Sequence, residues 1–473
     1  MAVKGSDMKV RVQVIIESDG GEQECLEEVA SVQRDILRAE DLGLTLAEAK
    51  DLLAGVQRRM VTQQAKTYVE QQRTCPHCNT ARSSKGQHTI VFRTLFGTIC
   101  LSSPRYAACR CQPQPTASIS PLAALLPERT TPELLYLEAK FAALMSYGVT
   151  VNLLAEVLPL GQDLNVATVF RDVQKVAERI EHELGEERPM FIEGCPRDWE
   201  QLPEPEGPLT VGIDGGYIHA REAPSRQEGW FEVIVGRSVP TKGTAKCFGF
   251  VQNYDTKPKR RLFEVLQSQG MQANQPLTFL SDGGDTVRNL PRYLHPDAEH
   301  VLDWFHIAMR VTVMTQMAKG LLSPGETAGQ IDIQDQLDRL KWSWWHGNVY
   351  KALLKITYLE MDLETMAESP EQRKLLKAVR EFGGYIAANK PYIPNYGDRY
   401  RHGEPISTAM AESAVNQVIS KRFVKKQQMK WTKRGAHLLL QVRTHVLNDE
   451  LRDLFCRWYP GMQTSEEPAQ EAA

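Results

Sequence analysis

Long apolar runs are missing from this chain of 473 residues. No stretch approaches the roughly 20 apolar residues that a membrane-spanning helix needs, which argues against a helical membrane protein. The N-terminus is polar and soon acidic, with Glu17, Asp19, Glu22 and Glu24. It lacks the basic and then apolar pattern of a secretory signal, so a cytoplasmic protein is expected. Strong net charge is lacking too. The formal charge is -3 and the pI is near 6.4, so bulk charge gives no nucleic-acid signal. No internal repeat or long low-complexity tract is evident, which leaves no case for a solenoid or a disordered scaffold.

One absence is local. From Ser413 to Leu447 there is no Asp or Glu, while the same stretch holds Lys421, Arg422, Lys425, Lys426, Lys430, Lys433, Arg434 and Arg443. That excess suits a phosphate backbone. The plainer alternative is a solvated helix face, but such faces usually mix both signs. Lys421, Arg422, Lys425, Lys426, Lys430, Lys433 and Arg434 are therefore expected to contact DNA.

What is present fits a soluble globular protein: 42% hydrophobic and 24% charged residues. The length exceeds one ordinary core, so two to four domains are expected. Four of the nine cysteines form two close pairs, Cys75-Pro-His-Cys78 and Cys109-Arg-Cys111. In a cytosolic chain such pairs more often bind metal than form disulfides. Between them, His88 to Leu101 reads as a β-hairpin turning near Gly97. Two cysteine knuckles joined by a hairpin resemble a zinc ribbon, in which four thiolates close a structural Zn²⁺ shell. The second knuckle is one residue short, and His77 or His88 could replace a cysteine.

The pattern along the chain gives an α/β, multidomain protein. Residues 1–72 read as a strand (Lys9 to Ile16) followed by two or three helices, because Leu26, Val29, Val32 and Ile36 recur at helical spacing and Leu46 to Val69 resumes it. Residues 73–112 are the zinc-ribbon-like segment. Pro113 to Pro127 reads as a linker. Residues 128–192 read as helical, with Asn165 a candidate cap, and two helices around a short turn could be a helix-turn-helix. Gly194 to Pro208 reads as a domain boundary. Residues 209–310 give three strands (Leu209 to Ile213, Trp230 to Val239, Ala245 to Tyr254). A helix, a strand ending at Ser281, a helix capped by Asp285, and a strand from Glu299 to Asp303 follow. Residues 311–400 read as helical, passing into a Tyr, Pro and Gly-rich loop from Gly383 to Pro405. Residues 401–460 hold a helix with Glu412 and the basic stretch, and 461–473 a disordered tail.

Three acidic residues stand out. Asp214 and Asp282 each follow an apolar strand and precede two glycines; Glu412 sits in a helical pattern. Two strand-end aspartates and a helical glutamate could hold two Mg²⁺ ions, with Mn²⁺ an alternative. Two ions roughly 3.5–4 Å apart can activate an oxygen nucleophile and stabilise a leaving oxygen in phosphodiester chemistry. A lone strand-Asp-Gly is usually a turn; two of them in an alternating β/α context carry more weight. Trp342, Trp344 and Trp345 could stack on an unpaired base or pack in a helical core.

These motifs bring a family into view. Phe92-Arg-Thr-Leu-Phe-Gly97, Ser103-Pro-Arg-Tyr106 with Cys109-Arg-Cys111, Gly212-Ile-Asp-Gly-Gly216, Ser281-Asp-Gly-Gly284, Asp303-Trp-Phe-His306 and Glu412-Ser413 resemble bacterial insertion-sequence DDE transposases of the Kra group, distantly similar to Mutator-type enzymes. The resemblance implies an RNase-H-like catalytic domain with an α-helical insertion, preceded by a helical N-terminal region with the zinc-ribbon-like segment. It implies catalytic Asp214, Asp282 and Glu412, and auxiliary Asp303 and His306 that both serve to position DNA or the glutamate. It further implies Mg²⁺-dependent cleavage and strand transfer at terminal inverted repeats. The partners would be double-stranded DNA, both transposon ends and target, and a homodimer or larger synaptic complex, nucleoid-associated when bound. A nuclease or resolvase without strand transfer would need the same carboxylates. A non-catalytic zinc-containing DNA-binding regulator would be expected to have lost one of them.

Overall fold

The computed structural model describes residues 8–17, 23–34, 39–109, 111, 118–161, 164–188, 195–222, 229–284, 290, 294–295, 297–321, 328–366, 369–424 and 429–462. The chain divides into two compact units, Met1–Val176 with Glu450–Ala473, and Ala177–Asp449. Among the described residues no helix is long and apolar enough to cross a membrane. Of the expected C-terminal tail, Gly461 and Met462 are described, Met462 being buried, and residues 463–473 lie outside the described residues.

In the first unit, β1 (Met8–Glu17) pairs antiparallel with β2 (Gln23–Arg34). The helix expected around Leu26, Val29 and Val32 is thus a strand. The three-residue spacing suits a helix, but β-branched Val29 and Val32 suit a pleated strand as well, and alternating β1 supplies the partner backbone. One helix follows, α1 (Leu46–Gln71), started by a capping box of Thr45 and Glu48. Then come β3 (Ser84–Thr94) and β4 (Gly97–Ala107), an antiparallel hairpin closing at Thr94 and Gly97 as the sequence suggests. Part of the supposed linker is folded. β5 (Ser118–Ile119) pairs with β4, and α2 (Pro121–Leu125) buries Leu122 against Ile90, Ile99 and Leu101. Proline at the first turn of α2 costs no hydrogen bond, so a Pro-rich stretch need not be loose. α3 (Pro132–Leu144), α4 (Tyr147–Val157) and α5 (Val166–Glu183) lie close to their expected positions. Asn165 caps α5, its side-chain oxygen accepting the Thr168 N–H at 3.0 Å. The C-terminal helix Leu451–Trp458 returns to α3 through Arg452–Glu133 at 2.9 Å and Tyr136 against Phe455.

The second unit opens with α6 (Pro196–Trp199), whose Trp199 is buried among Leu209, Phe279 and Leu294. Within the supposed boundary Trp199 is thus anchored in the core, while most of the described residues around it are exposed. Five strands follow: β6 (Leu209–His219), β7 (Trp230–Pro240), β8 (Lys246–Val251) and, after α7 (Pro258–Ser268), β9 (Leu277–Ser281) and β10 (Glu299–Leu302). Their order is β10-β9-β6-β7-β8. The first three strands in sequence are antiparallel neighbours, while β9 lies parallel to both β6 and β10. Val211, Ile213, Ile234 and Phe248 form one core with Leu262 and Leu266 of α7. The helix expected after Asp282, with Asp285 as its cap, falls largely outside the described residues.

A second core joins the sheet edge to a helical assembly. It comprises α8 (Trp304–Gly320), α9 (Ala328–Trp345), α10 (Val349–Met366), α11 (Pro370–Asn389) and α12 (Tyr396–Arg401). The loop expected from Gly383 is helix as far as Asn389. A Cβ on Gly383 would lie 3.0 Å from Ile356 of α10, so helix packing explains this glycine better than a turn does. α13 (Ala409–Val415) runs into a π-helical stretch, Asn416–Val424, and α14 (Lys433–Leu447) closes the unit.

The first unit also buries two acids against each other. Glu138 of α3 is fully buried and Asp172 of α5 nearly so. Asp172 accepts from Arg93 of β3 at 3.2 Å and from Lys175 at 3.1 Å, so the arginine of the Phe92–Gly97 motif ties the hairpin to α5. Burial first, and Asp172 next, push the Glu138 carboxyl up to about 8 from a reference near 4.5. The folded chain then holds a proton that the unfolded chain releases between those values. Stability conferred by neutral Glu138 is full below about pH 4.5 and is lost as pH rises through about 8. That loss is at most about 1.4 kcal/mol per pH unit. Urea unfolding of the full chain should show it, and Glu138→Gln should flatten the slope and raise stability at pH 8. Identical slopes in the two proteins would contradict this account.

Candidate functional site

β6 and β9 hold the first two carboxylates. Their parallel register pairs Leu209 with Leu277 and ends with Gly212 beside Leu280. β9 ends at Ser281; carried two residues past its last pair, the same register would bring Asp282 beside Asp214, and Asp214 feels the Asp282 charge. β10 extends the row, since Leu302 pairs with Ser281 and Asp303 is the next residue. Asp214 does not end its strand, as the sequence suggests; β6 continues to His219 because β7 accompanies it throughout. Only the β9 side stops, which leaves Asp214 in an interior strand with an open flank.

α13 brings the third carboxylate. A Cβ on Gly212 would lie 3.0 Å from Met410 and 3.1 Å from Ala411; one on Gly216 would lie 2.6 Å from Ile419 and 3.3 Å from Val415. These two glycines flank Asp214 on the same sheet face. Their missing side chains let the helix approach, with Glu412 between the two contacts. Gly283 serves packing as well, since its Cβ would meet Asn389 at 2.5 Å. The glycines after both aspartates thus serve internal fit.

The electrostatics agree with the geometry. The Asp214 carboxyl is raised, chiefly by burial; the Gly215 N–H at 2.8 Å opposes this, while Asp282 and Glu412 add to it and His306 relieves it. Asp214 thus feels both other acids. Glu232 of β7 is a fourth carboxylate in their field, raised by burial and then by Asp282 and Asp214. Sequence reasoning missed it. The available signal was an acid between Phe231 and Val233, two buried residues of a strand. Gly215 makes room for it, as a Cβ there would lie 2.8 Å from the Glu232 carboxylate.

Asp303 and His306 differ in role. Asp303 is fully buried and caps α8, accepting the Phe305 N–H at 2.9 Å. It also accepts the Thr408 hydroxyl at 2.7 Å and the Thr408 N–H at 3.2 Å. Thr408 is the residue before α13, so Asp303 fastens the start of the Glu412 helix. His306 is partly exposed, 3.9 Å from the Asp303 carboxylate. On the other side, the Tyr385 hydroxyl donates to the Asp282 carbonyl at 2.8 Å. An open pocket of about 450 Å³ adjoins Glu412, walled by Phe305, Met309, Val313 and Phe382.

The basic stretch divides. Lys421, Lys430 and Lys433 are exposed. Arg434 is exposed and paired with Glu178. Arg422, expected to contact DNA, is fully buried against Phe423 and Trp431. Arg443 is buried too, donating to the Val418 carbonyl at 2.8 Å. Both arginines support the helix rather than meet a phosphate. Lys425 and Lys426 lie outside the described residues. Of the tryptophans, Trp344 is core, Trp345 packs on Trp304, and Trp342 is 61% exposed.

The first unit holds the cysteine cluster. Cys75, Cys78, Cys109 and Cys111 bring their sulfurs within 4.8 Å of one another, with neither His77 nor His88 among them. Cys75–Cys111 is 3.6 Å and Cys78–Cys109 is 3.3 Å. A tetrahedral Zn–S shell places sulfurs about 3.8 Å apart, so the four thiols could hold a metal ion such as zinc. Asn79, at φ 54°, turns the first knuckle. Backbone N–H groups of His77 and Cys78 pull the Cys75 thiol down to about 6, whereas Cys109 and Cys78 push Cys111 up to about 12. Three sulfurs crowding a fourth is the arrangement that a cation relieves.

A second group, Glu181, Asp255 and His437, has metal-like spacing. Arg261 already fills it, bonding Glu181 at 2.9 Å and Asp255 at 3.0 Å, and lying 3.3 Å from His437. Burial opposes the Glu181 charge, but His437 and Arg261 outweigh it and bring that carboxyl down to about 2. This guanidinium occupies the space between the two carboxylates that a metal would need.

Compared with known proteins, the chain matches no family model and no curated sequence.

Elemental analysis of the purified chain should return one equivalent of zinc or another thiophilic ion. Cys75→Ser should remove it and lower the melting temperature. A folded, metal-free wild-type chain would contradict the metal reading.

Proposed function

We propose that this chain is a DDE transposase that cuts DNA at the ends of an insertion sequence and joins them to a target. The observation that carries the reading is the convergence of Asp214, Asp282 and Glu412: one strand register, extended by two residues, and one helix held close by two glycines. The strand order, three antiparallel strands followed by two parallel ones on the far side of the first, supports an RNase-H-like catalytic domain. The helices between Asp282 and Glu412 then form its insertion.

The donor set suits Mg²⁺. Asp214 is destabilised as an anion chiefly by burial and then by Asp282 and Glu412, and a divalent cation offsets that penalty. Bound there, two ions would activate the attacking oxygen and stabilise the leaving oxygen. The remaining work falls to the chain. Asp214, Asp282 and Glu412 supply oxygen ligands from three separate elements. Asp303 positions the Glu412 helix through Thr408, which gives the Asp-x-x-His motif a physical task. Tyr385 steadies the backbone of Asp282. Exposed Lys421, Lys430 and Lys433 stand ready for DNA phosphates, and the cysteine cluster would brace the hairpin of the first unit as a zinc ribbon.

With DNA carrying the element's terminal inverted repeats, Asp214→Ala, Asp282→Ala and Glu412→Ala should each lower Mg²⁺-dependent cleavage by on the order of a thousandfold or more. End binding should persist, because affinity comes mostly from phosphate contacts elsewhere. Asp303→Asn should cost roughly 10–100-fold, the range for a residue that orients a ligand. Joined product separates a transposase from a nuclease on the same site. Normal cleavage by Asp282→Ala would sink the assignment.

A further inference from the structure

α10 has two apolar faces. The first, Ala352, Ile356, Leu359 and Leu363, is buried in the helical core. The second is Tyr350, Leu354, Tyr358 and Met361, exposed by 79%, 39%, 55% and 57%. A helix apolar on two faces normally buries both, and a contiguous exposed stripe marks an interaction surface. We propose that this second face pairs antiparallel with the same face of another copy of this chain.

The occupant is argued from self-complementarity. A two-fold axis through an antiparallel helix pair sets each residue against its mirror position along the helix. The stripe reads Tyr, Leu, Tyr, Met, and its pairs are Tyr350 with Met361 and Leu354 with Tyr358. Both pairs centre on Ile356 to within half a residue. Each would set an aromatic ring against an aliphatic or thioether side chain, a favourable match. The flanking charges have the same centre. Lys351 and Asp362 are exposed and lie eleven residues apart, three helical turns, on one side of the stripe. Antiparallel pairing keeps equivalent flanks together, so Lys351 of each copy meets Asp362 of the other. Within the copy Asp362 accepts a hydrogen bond from the uncharged Gln336 amide at 3.1 Å, which does not neutralise its charge. The Lys355 amine turns away to Ser343 and the Arg339 carbonyl, and Glu364 pairs with Arg380. Pairing helices of about 27 Å gives a modest interface, which fits reversible association. The inference stands on α10 alone and does not depend on the catalytic assignment.

Sedimentation equilibrium of the metal-loaded, nucleic-acid-free full chain tests it. Wild type should move from monomer to dimer as concentration rises. Leu354→Asp combined with Tyr358→Asp should stay monomeric with an unchanged circular dichroism spectrum. Lys351→Asp and Asp362→Lys should each weaken dimerisation by about two- to fivefold, the scale of exposed ion pairs. The two together should restore it, an outcome that a merely misfolded variant cannot give. Three results would overturn the proposal. Wild type could stay monomeric throughout. A dimer could persist in the Leu354→Asp, Tyr358→Asp variant, which would place the interface elsewhere. The charge exchange could fail to restore association, which would reject the antiparallel pairing. If wild type is monomeric and the double aspartate variant loses DNA binding, the face belongs to DNA instead.

Discussion

The second unit depends on how closely one helix can lie on one strand. Gly212 and Gly216 stand two residues either side of Asp214, and α13 rests where their side chains would be. Alanine at either position would push the helix away, because the atoms it meets belong to packed Met410, Ala411, Val415 and Ile419. The position of Glu412 follows from this contact. So does the burial of Asp214 beneath it, and burial is the main cause of that carboxyl's raised proton affinity.

The site therefore concentrates negative charge that the fold alone does not neutralise. Elsewhere in the same unit, Glu181 and Asp255 are met by Arg261 and His437. The charges that bear on Asp214 are Asp282, Glu412 and partly exposed His306, with Glu232 in the same field, and Arg310 lines the pocket beside Glu412. Asp303 is buried nearby, and its carboxylate is occupied by Phe305 and Thr408. The contrast is one of charge balance: Glu181 and Asp255 have a guanidinium between them, whereas the acids around Asp214 raise one another's proton affinity. The two-metal reading grows from that difference together with the alignment of strands.

Much of this was legible in the sequence because it is local. Apolar runs ending in Asp-Gly-Gly marked β6 and β9, and Asn165 announced the start of α5. Cysteine spacing marked the cluster, although it left the choice between Cys109, Cys111 and the histidines open. What was not legible depended on distant partners. Leu26 to Val32 is strand because β1 lies beside it. Glu232 comes within the field of Asp214 only through the register of β7 with β6. Arg422 reads as one more surface cation, yet a π-helical stretch turns it inward onto Trp431. Gly383 reads as a turn until α10 is known to pack against it. In each case the residue type is ambiguous and tertiary contact decides.

The central claim is that Asp214, Asp282 and Glu412 form one binuclear metal site, and electron paramagnetic resonance of Mn²⁺ tests it most directly. Titrated in the presence of duplex DNA, wild type should take up two Mn²⁺ ions per chain with the exchange-coupled signal of a close pair. Asp214→Asn should abolish that coupling while leaving the chain folded. Two uncoupled ions in wild type, or a coupled pair that survives Asp214→Asn, would contradict the account.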